Sequence, residues 1–132
     1  MSDVAYIDTS AFVKLFVEEP ESDAVAAAIG SSWTRMVASE ILAVEAFRTA
    51  LRRGGEAPEL AAQLLRQVIL LPFSTEIRTD SYRLSPPELR TLDAIHLATA
   101  ISVADQIGAI FTYDKRLAQA SSDAGLRVVA PV

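Results

Sequence analysis

Four acidic residues stand where the neighbouring sequence makes a carboxylate unusual. Asp8 and Asp114 each follow a short apolar run, in VAYID and AIFTYD. Glu45 and Asp93 lie inside mostly apolar helical segments, ILAVEAFRTAL and LDAIHLATAISVA. A buried carboxylate without a partner is costly, but several can share a crevice with a cation, and oxygen ligands suit hard cations such as Mg²⁺ or Mn²⁺. The four acids therefore predict metal-dependent phosphoryl chemistry.

Three of these acids also have ordinary structural explanations, which the sequence leaves open. Asp8 and Asp114 can each cap the helix that follows an apolar run. Glu45 can pair with Arg48 or Arg52, one and two turns further along the same helix. These structural explanations account for single acids better than for all four together. The sequence offers no matching group of basic residues that could be buried with all four acids.

The fourth acid, Asp93, lies near a predicted helix N-terminus, where a negative charge is favourable and Arg90 could neutralise it. His96 is the only histidine in the chain and lies three residues later, on the same helical face. A general base is one possible role for it. We expect instead a hydrogen bond that orients Asp93, or simple packing in the core.

Hydroxyl side chains flank the acids at the strand ends. They are Thr9, Ser10 and Thr112. Capping is the ordinary role of such residues, although hydroxyls at these positions could also orient the carboxylates or bind phosphate. We include the three as supporting residues of the predicted site.

The elements that position these residues alternate between short apolar strands and longer helices. Strands are predicted over residues 4–7, 34–38, 69–73 (an edge strand, because of Pro72), 109–113 and 126–130. Helices are predicted over about 10–17, 21–29, 39–54 (with Ser39 as N-cap), 58–68 (with Pro58 in its first turn), 75–84, 89–104 and 114–122.

Strands that alternate with helices predict a parallel sheet covered on both faces. In such folds ligands bind beyond the carboxyl ends of the strands. Asp8 and Asp114 each follow a predicted strand, so both should lie at this functional edge of the sheet.

The composition limits the classes of protein to consider. The chain has 132 residues, enough for one domain, and is 51% hydrophobic with a net charge of −5 and no cysteine. Disulfides and thiolate metal sites are therefore excluded, and a general nucleic-acid-coating protein is disfavoured because such proteins are basic. The sequence contains no stretch typical of a secretory signal or a membrane span, so we expect a cytoplasmic protein.

Successive segments of the chain resemble the motifs of a PIN domain, most closely that of VapC-type toxins of bacterial and archaeal toxin–antitoxin pairs. The segments, in order, are YIDTSAFVKLFVEEPES, SEILAVEAFR, LRTLDAIHLATA, and FTYDKRLAQAS with GLRVVAP. The resemblance covers essentially the whole chain. It implies a single PIN domain over residues 1–132, with a three-layer α/β/α fold and a central, mostly parallel sheet.

The same resemblance implies roles for the acids. It makes Asp8, Glu45, Asp93 and Asp114 the four catalytic acids. Asp8 and Asp93 match the direct Mg²⁺ ligands of the family, and Asp114 joins them in the metal-binding set. Lys115 and the residues after it stand where some PIN domains carry a further acid, which leaves the number of metal ions open.

The function that the resemblance implies is a Mg²⁺-dependent endoribonuclease that hydrolyses RNA with metal-activated water. Its expected partners are an RNA substrate, a cognate VapB-type antitoxin and a second copy of the chain in a homodimer. The alternative is a catalytically silent PIN domain that serves as a protein-binding module.

Overall fold

A five-stranded parallel sheet forms the centre of the molecule in the computed structural model, which describes residues 2–132. The strands are β1 (Val4–Ile7), β2 (Arg35–Ser39), β3 (Val68–Leu71), β4 (Ala109–Phe111) and β5 (Val128–Val129). Their order across the sheet is β3-β2-β1-β4-β5, and every pairing is parallel. The first strand is therefore flanked on both sides.

Within residues 2–132, seven helices cover the two faces of this sheet. They are α1 (Thr9–Val13), α2 (Ser22–Ser32), α3 (Ile41–Arg53), α4 (Ala57–Leu65), α5 (Thr75–Ser81), α6 (Thr91–Ser102) and α7 (Lys115–Asp123). Helices α1 to α4 share one hydrophobic core with the sheet, whereas α6 packs on the opposite face with α5 and α7 beside it. The predicted three-layer α/β/α architecture with a parallel sheet is confirmed.

The packing of the central strand, β1, on both of its faces explains why its sequence is apolar throughout. Ala5 and Ile7 face the core that contains α1 to α4, while Tyr6 between them faces α6. All three are completely buried, as expected for a strand covered on both faces of a parallel sheet. In register, Tyr6 lies between Val37 and Ile110 of the adjacent strands.

Helix α6 is the most deeply buried helix of its layer. Every residue from Ala94 to Ala100 is buried, which agrees with the prediction from a helix that is apolar on nearly all sides. Among residues 2–132, none of the helices is both long enough and apolar enough to cross a membrane.

The predicted element boundaries differ from the structure mainly at the ends. The first helix stops at Val13 rather than near 17, because the next amides bond carbonyls three residues back and form turns. The last strand has two paired residues rather than the five of 126–130, since β4 beside it is itself only three residues long. The edge position of β3 and the first-turn position of Pro58 are confirmed.

Ser39 was predicted to be the N-cap of α3, and this prediction is wrong. Ser39 still pairs with Leu71 in the sheet, so Glu40 occupies the cap position. The Ser39 hydroxyl nevertheless accepts a hydrogen bond from the Ile41 amide at 3.2 Å. The strand thus runs one residue further than predicted, and the hydroxyl acts from its last position.

Candidate active site

The carboxyl ends of β1 and β4 bring two of the predicted acids to one edge of the sheet. Ile7 and Phe111 pair in register, and the Asp8 amide extends this pairing by donating to the Phe111 carbonyl at 3.1 Å. Asp8 is the N-cap of α1, and Asp114 is the N-cap of α7. The capping explanation and the shared edge are therefore both correct for these residues.

Asp8 lies almost wholly inside the protein, with 2% of its surface exposed. Its Oδ1 accepts from the Ala11 amide at 2.9 Å and from the Ser10 hydroxyl at 2.8 Å, while Oδ2 accepts from the Thr112 hydroxyl. Burial raises the pKa of Asp8, and the hydrogen bonds from Thr112, Ala11 and Ser10 lower it without cancelling that effect. The carboxylate is thus rigidly held but costly to ionise.

Glu45 reaches the same place from the middle of α3. Its Oε1 receives the Thr9 hydroxyl at 2.7 Å and lies 2.8 Å from His96 Nε2. Burial alone would raise the pKa of Glu45, but the bonds from His96 and Thr9 outweigh it and lower the pKa. Among residues 2–132, the side chain that pairs with Glu45 from another helix layer is His96, rather than Arg48 or Arg52 of its own helix.

His96 was expected either to orient Asp93 through a hydrogen bond or to pack in the core, and the hydrogen bond to Asp93 is not formed. Asp93 lies in the first turn of α6 and faces Arg90. His96 lies one turn deeper, is 1% exposed, and points its Nε2 toward α1 and α3. The two side chains share a helical face, but the different depths of their positions give them different partners.

Arg90 connects the remaining two acids. Its Nε lies 3.2 Å from Asp93 Oδ2, and its Nη2 lies 2.5 Å from Asp114 Oδ2. Burial is the main factor that raises the pKa of Asp93, the charge of Asp114 adds to it, and Arg90 opposes it. The sequence suggested Arg90 as a neutralising partner of Asp93 alone; its contact with Asp114 required the fold.

All four acids line one cavity of about 320 Å³. Thr9, Ser10, His96 and Arg90 line the same cavity, while Thr112 is buried behind Asp8. A cavity of about 470 Å³ beside residues 81–87 contains none of the acids. The chemistry of the lining residues, rather than the volume, therefore identifies the candidate site.

Sequence reasoning missed Tyr6 as a member of this site. Its hydroxyl lies 2.8 Å from His96 Nδ1 and accepts from the Ser39 amide at 3.0 Å. A tyrosine within the buried run VAYI was the available signal, because a buried tyrosine hydroxyl must find a hydrogen-bonding partner.

The donor set fits a hard divalent cation. The candidate ligands are carboxylate oxygens, and the Arg90 guanidinium already provides one positive centre shared by Asp93 and Asp114. Within residues 2–132, no group of three acidic or histidine side chains forms a ready-made metal site. For a metal ion to bind, Asp93 and Asp114 would have to release Arg90 and contact the ion instead.

Comparison with known proteins places the chain in a family. A family model of the PIN domain matches residues 5–122. The chain belongs to the PIN domain family. Ribonuclease VapC46 of Mycobacterium tuberculosis is 40% identical over 126 residues, covering 96% of each chain, and ribonuclease VapC35 of the same species is 36% identical over 129 residues, again covering 96% of each.

A solved structure also shares the fold. The crystal structure of Mycobacterium tuberculosis VapC20, described as a toxin that cleaves the sarcin–ricin loop, superposes with a TM-score of 0.76. The alignment covers 96% of this chain and 99% of that one at 19% identity, so it supports the architecture. The resemblance of this PIN domain to the VapC-type proteins is confirmed.

Proposed function

We propose that this PIN domain is a Mg²⁺-dependent endoribonuclease and the toxin component of a VapBC-type toxin–antitoxin system. The observation that carries the proposal is the convergence of four carboxylates on one cavity at the carboxyl ends of adjacent parallel strands. Curated relatives over almost the full chain are named as VapC ribonucleases, which supports the same activity.

Asp8, Asp93 and Asp114 would hold the metal ion. Bound Mg²⁺ supplies the charge that polarises the phosphodiester and lowers the pKa of a water molecule. Because Ser10, Thr112 and the α1 amide fix Asp8, that ligand is oriented before the ion arrives. The pre-set orientation lowers the cost of assembling the site.

Glu45 is suited to orient the attacking water and to receive its proton. The lowered pKa of Glu45 keeps its carboxylate ionised near neutral pH. Thr9 and His96 both bind Oε1, so Oε2 can turn toward a water molecule in the cavity. We expect water to attack phosphorus and the P–O3′ bond to break, so that the products are a 5′-phosphate and a 3′-hydroxyl and the 2′-hydroxyl is not the nucleophile.

The expected protein partners are a VapB-type antitoxin and a second copy of the chain. Apolar side chains on the outer side of α3 support a protein partner, because Val44, Phe47 and Leu51 are 63%, 38% and 53% exposed. The net charge of −5 favours a partner segment that carries basic residues.

A catalytically silent, protein-binding PIN domain is the second candidate. The contacts of Arg90 with Asp93 and Asp114 favour it, since they neutralise two of the proposed metal ligands from within the chain. RNA cleavage measured with Mg²⁺, and again after addition of a chelator, separates the candidates.

In that assay Asp8→Asn and Asp93→Asn should each abolish cleavage, whereas Asp105→Asn, at an exposed position outside the cavity, should leave it unchanged. Cleavage that survives both site substitutions or the chelator would reject the proposed enzyme. Products that end in a 2′,3′-cyclic phosphate would reject the proposed hydrolysis by water.

A further inference from the structure

A chain of hydrogen bonds runs from the middle of the sheet to Glu45. The Ser39 amide donates to the Tyr6 hydroxyl oxygen at 3.0 Å, and this hydroxyl lies 2.8 Å from His96 Nδ1. On the other side of the ring, His96 Nε2 lies 2.8 Å from Glu45 Oε1. Tyr6 and His96 are 0% and 1% exposed, so the protein encloses both polar groups.

The partners of the ring indicate where its proton lies. An ionised carboxylate only accepts hydrogen bonds, so Nε2 beside Glu45 must carry a proton. In a neutral imidazole the other nitrogen is then an acceptor. The Tyr6 hydroxyl fits this requirement, because its oxygen takes the Ser39 proton and its own proton can go to Nδ1.

We propose that Tyr6 and His96 are positioning residues that hold Glu45 for RNA hydrolysis, with Tyr6 fixing His96 as the neutral Nε2–H tautomer. The activity part of this inference rests on the proposed nuclease function. Neither residue touches the substrate in this scheme; His96 acts through Glu45, and Tyr6 acts through His96.

The positions of Glu45, His96 and Tyr6 in the fold explain why a hydrogen-bonded connection between them is useful. Glu45 belongs to a helix in one layer, whereas His96 belongs to α6 in the opposite layer. Tyr6 lies on the central strand, where pairing on both sides fixes the backbone. The hydrogen bonds therefore relate the Glu45 carboxylate to the sheet that also ends in Asp8, and so align acids from separate layers.

Packing alone is a poor explanation for these two side chains. A buried hydroxyl and a buried ring nitrogen cost free energy unless each is hydrogen-bonded. Apolar side chains of similar shape would fill the same space without that requirement. The continuous pairing of Ser39, Tyr6, His96 and Glu45 satisfies each group and aims the last one into the cavity.

Nuclear magnetic resonance of the ¹⁵N-labelled full chain tests the first step without any assay of activity. Since His96 is the only histidine, both ring signals belong to it, and their couplings to the ring protons tell Nδ1 from Nε2. We expect a protonated Nε2 and an unprotonated, hydrogen-bonded Nδ1 at neutral pH. Tyr6→Phe should shift the Nδ1 signal away from its hydrogen-bonded value. A protonated Nδ1, or an Nδ1 signal that this substitution leaves unchanged, would overturn the proposal.

Two substitutions of His96 test the second step. In His96→Gln the side-chain amide can still donate near the position of Nε2, whereas the shorter side chain of His96→Asn reaches only the region of Nδ1. We expect His96→Asn to lower kcat by roughly 10- to 100-fold, by analogy with the loss seen when a group that orients a metal ligand is removed, with KM little changed. His96→Gln should recover most of the rate.

Equal losses in the two variants, or a better His96→Asn enzyme, would overturn the positioning role. Thermal unfolding of both variants identifies any loss caused by misfolding, and the resonance of the Tyr6→Phe variant then decides the proposal independently. If the wild-type protein does not cleave RNA, the proposed function is rejected, while the state of the His96 ring still confirms or rejects its connection to Tyr6.

Discussion

At the scale of single residues, two acids perform separate tasks with their two oxygens. Asp114 Oδ1 accepts from the Leu117 amide at 2.9 Å and caps α7, while its Oδ2 binds Arg90 in the cavity. Asp8 likewise uses Oδ1 to cap α1 and Oδ2 to meet Thr112. Each of these two acids therefore caps a helix and also belongs to the candidate site.

The separate roles of the two Asp114 oxygens predict different results for two substitutions of this residue. Asparagine is as good an N-cap as aspartate, so Asp114→Asn should keep the free energy of unfolding while it removes the charge. Asp114→Ala should lower that free energy by about 1 kcal/mol, because the cap is lost. Both variants should lose Mg²⁺-dependent cleavage. Urea unfolding and RNA cleavage provide the measurements, and equal stability of the two variants would contradict the capping role.

Asp8 should limit the stability of the protein near neutral pH. Burial raises its pKa, so the folded state binds more protons than the unfolded state between the unfolded and folded pKa values. The free energy of unfolding must then fall as pH rises through this interval, and the cost persists above it. Asp8→Asn removes the cost, and the hydroxyls of Ser10 and Thr112 can rotate to suit an amide.

We therefore expect Asp8→Asn to be more stable than the wild type at pH 7 and to lose cleavage. The gain should shrink as the pH is lowered toward the range where the wild-type carboxyl is protonated. Urea unfolding across this pH range measures the difference. A variant that is less stable at pH 7, or a difference independent of pH, would show that burial is not the dominant influence.

Arg90 should compete with divalent cations for Asp93 and Asp114. Its side chain is 68% exposed and can leave the carboxylates for solvent. Replacing it with a neutral residue removes the competing charge, so Arg90→Gln should bind Mn²⁺ severalfold more tightly. Calorimetric titration measures the affinity, and Arg66→Gln, an exposed arginine outside the cavity, is the matched control. Unchanged or weaker Mn²⁺ binding by Arg90→Gln would contradict the competition.

At the scale of elements, the order of strands and helices was predictable because apolar runs and helical periodicity are local properties of the sequence. The side-chain contacts between elements were harder to predict from the sequence. For His96 the sequence offered a hydrogen bond to Asp93 on the same helix or simple packing, but the ring bonds Glu45 on another helix. Nothing in the local pattern reports the depth at which a side chain enters the core.

The connection from α6 into β4 supplies an element-scale prediction. The Gly108 amide donates to the Val4 carbonyl at 2.8 Å, and a Cβ there would overlap the Ser2 carbonyl and lie 2.7 Å from the Trp33 ring. Gly108→Ala should therefore lower the free energy of unfolding. Gly30→Ala is the matched control, since it meets no atom within 4 Å in α2.

The control should raise the free energy of unfolding by about 0.5–1 kcal/mol, because alanine favours a helix over glycine. Chemical denaturation measures both variants. Similar effects of the two substitutions would contradict the tight approach of the backbone at Gly108.

At the scale of the whole molecule, the sequence predicted the identity of the four acids and their common cavity better than their individual partners. Parallel strands end at a common edge, so the residues after β1 and β4 were expected at the same edge of the sheet, and the adjacency of the two strands brings them together. Arg90 shows what the sequence could not predict: one guanidinium bridges Asp93 and Asp114, which lie on different helices. Such a bridge follows only from the packing of α6 against α7.

The acidic surface predicts a weak dependence of RNA binding on salt. With a net charge of −5, the protein can neutralise few phosphates, and each contact with a single strand contributes about −0.7 to the slope of log K against log salt. Three contacts would give a slope of about −2. Binding of a non-cleavable RNA at constant Mg²⁺ measures it, and a slope of about −5 would contradict the prediction.

The use of Asp8 and Asp114 as helix caps also bears on how such a protein can evolve. A single nucleotide change converts an aspartate codon to an asparagine codon, and asparagine preserves the cap. Descendants of this chain can therefore lose catalysis in one mutational step and remain folded, free to be selected for another role. Inactive lineages should accordingly carry asparagine, serine or threonine at these two positions more often than alanine.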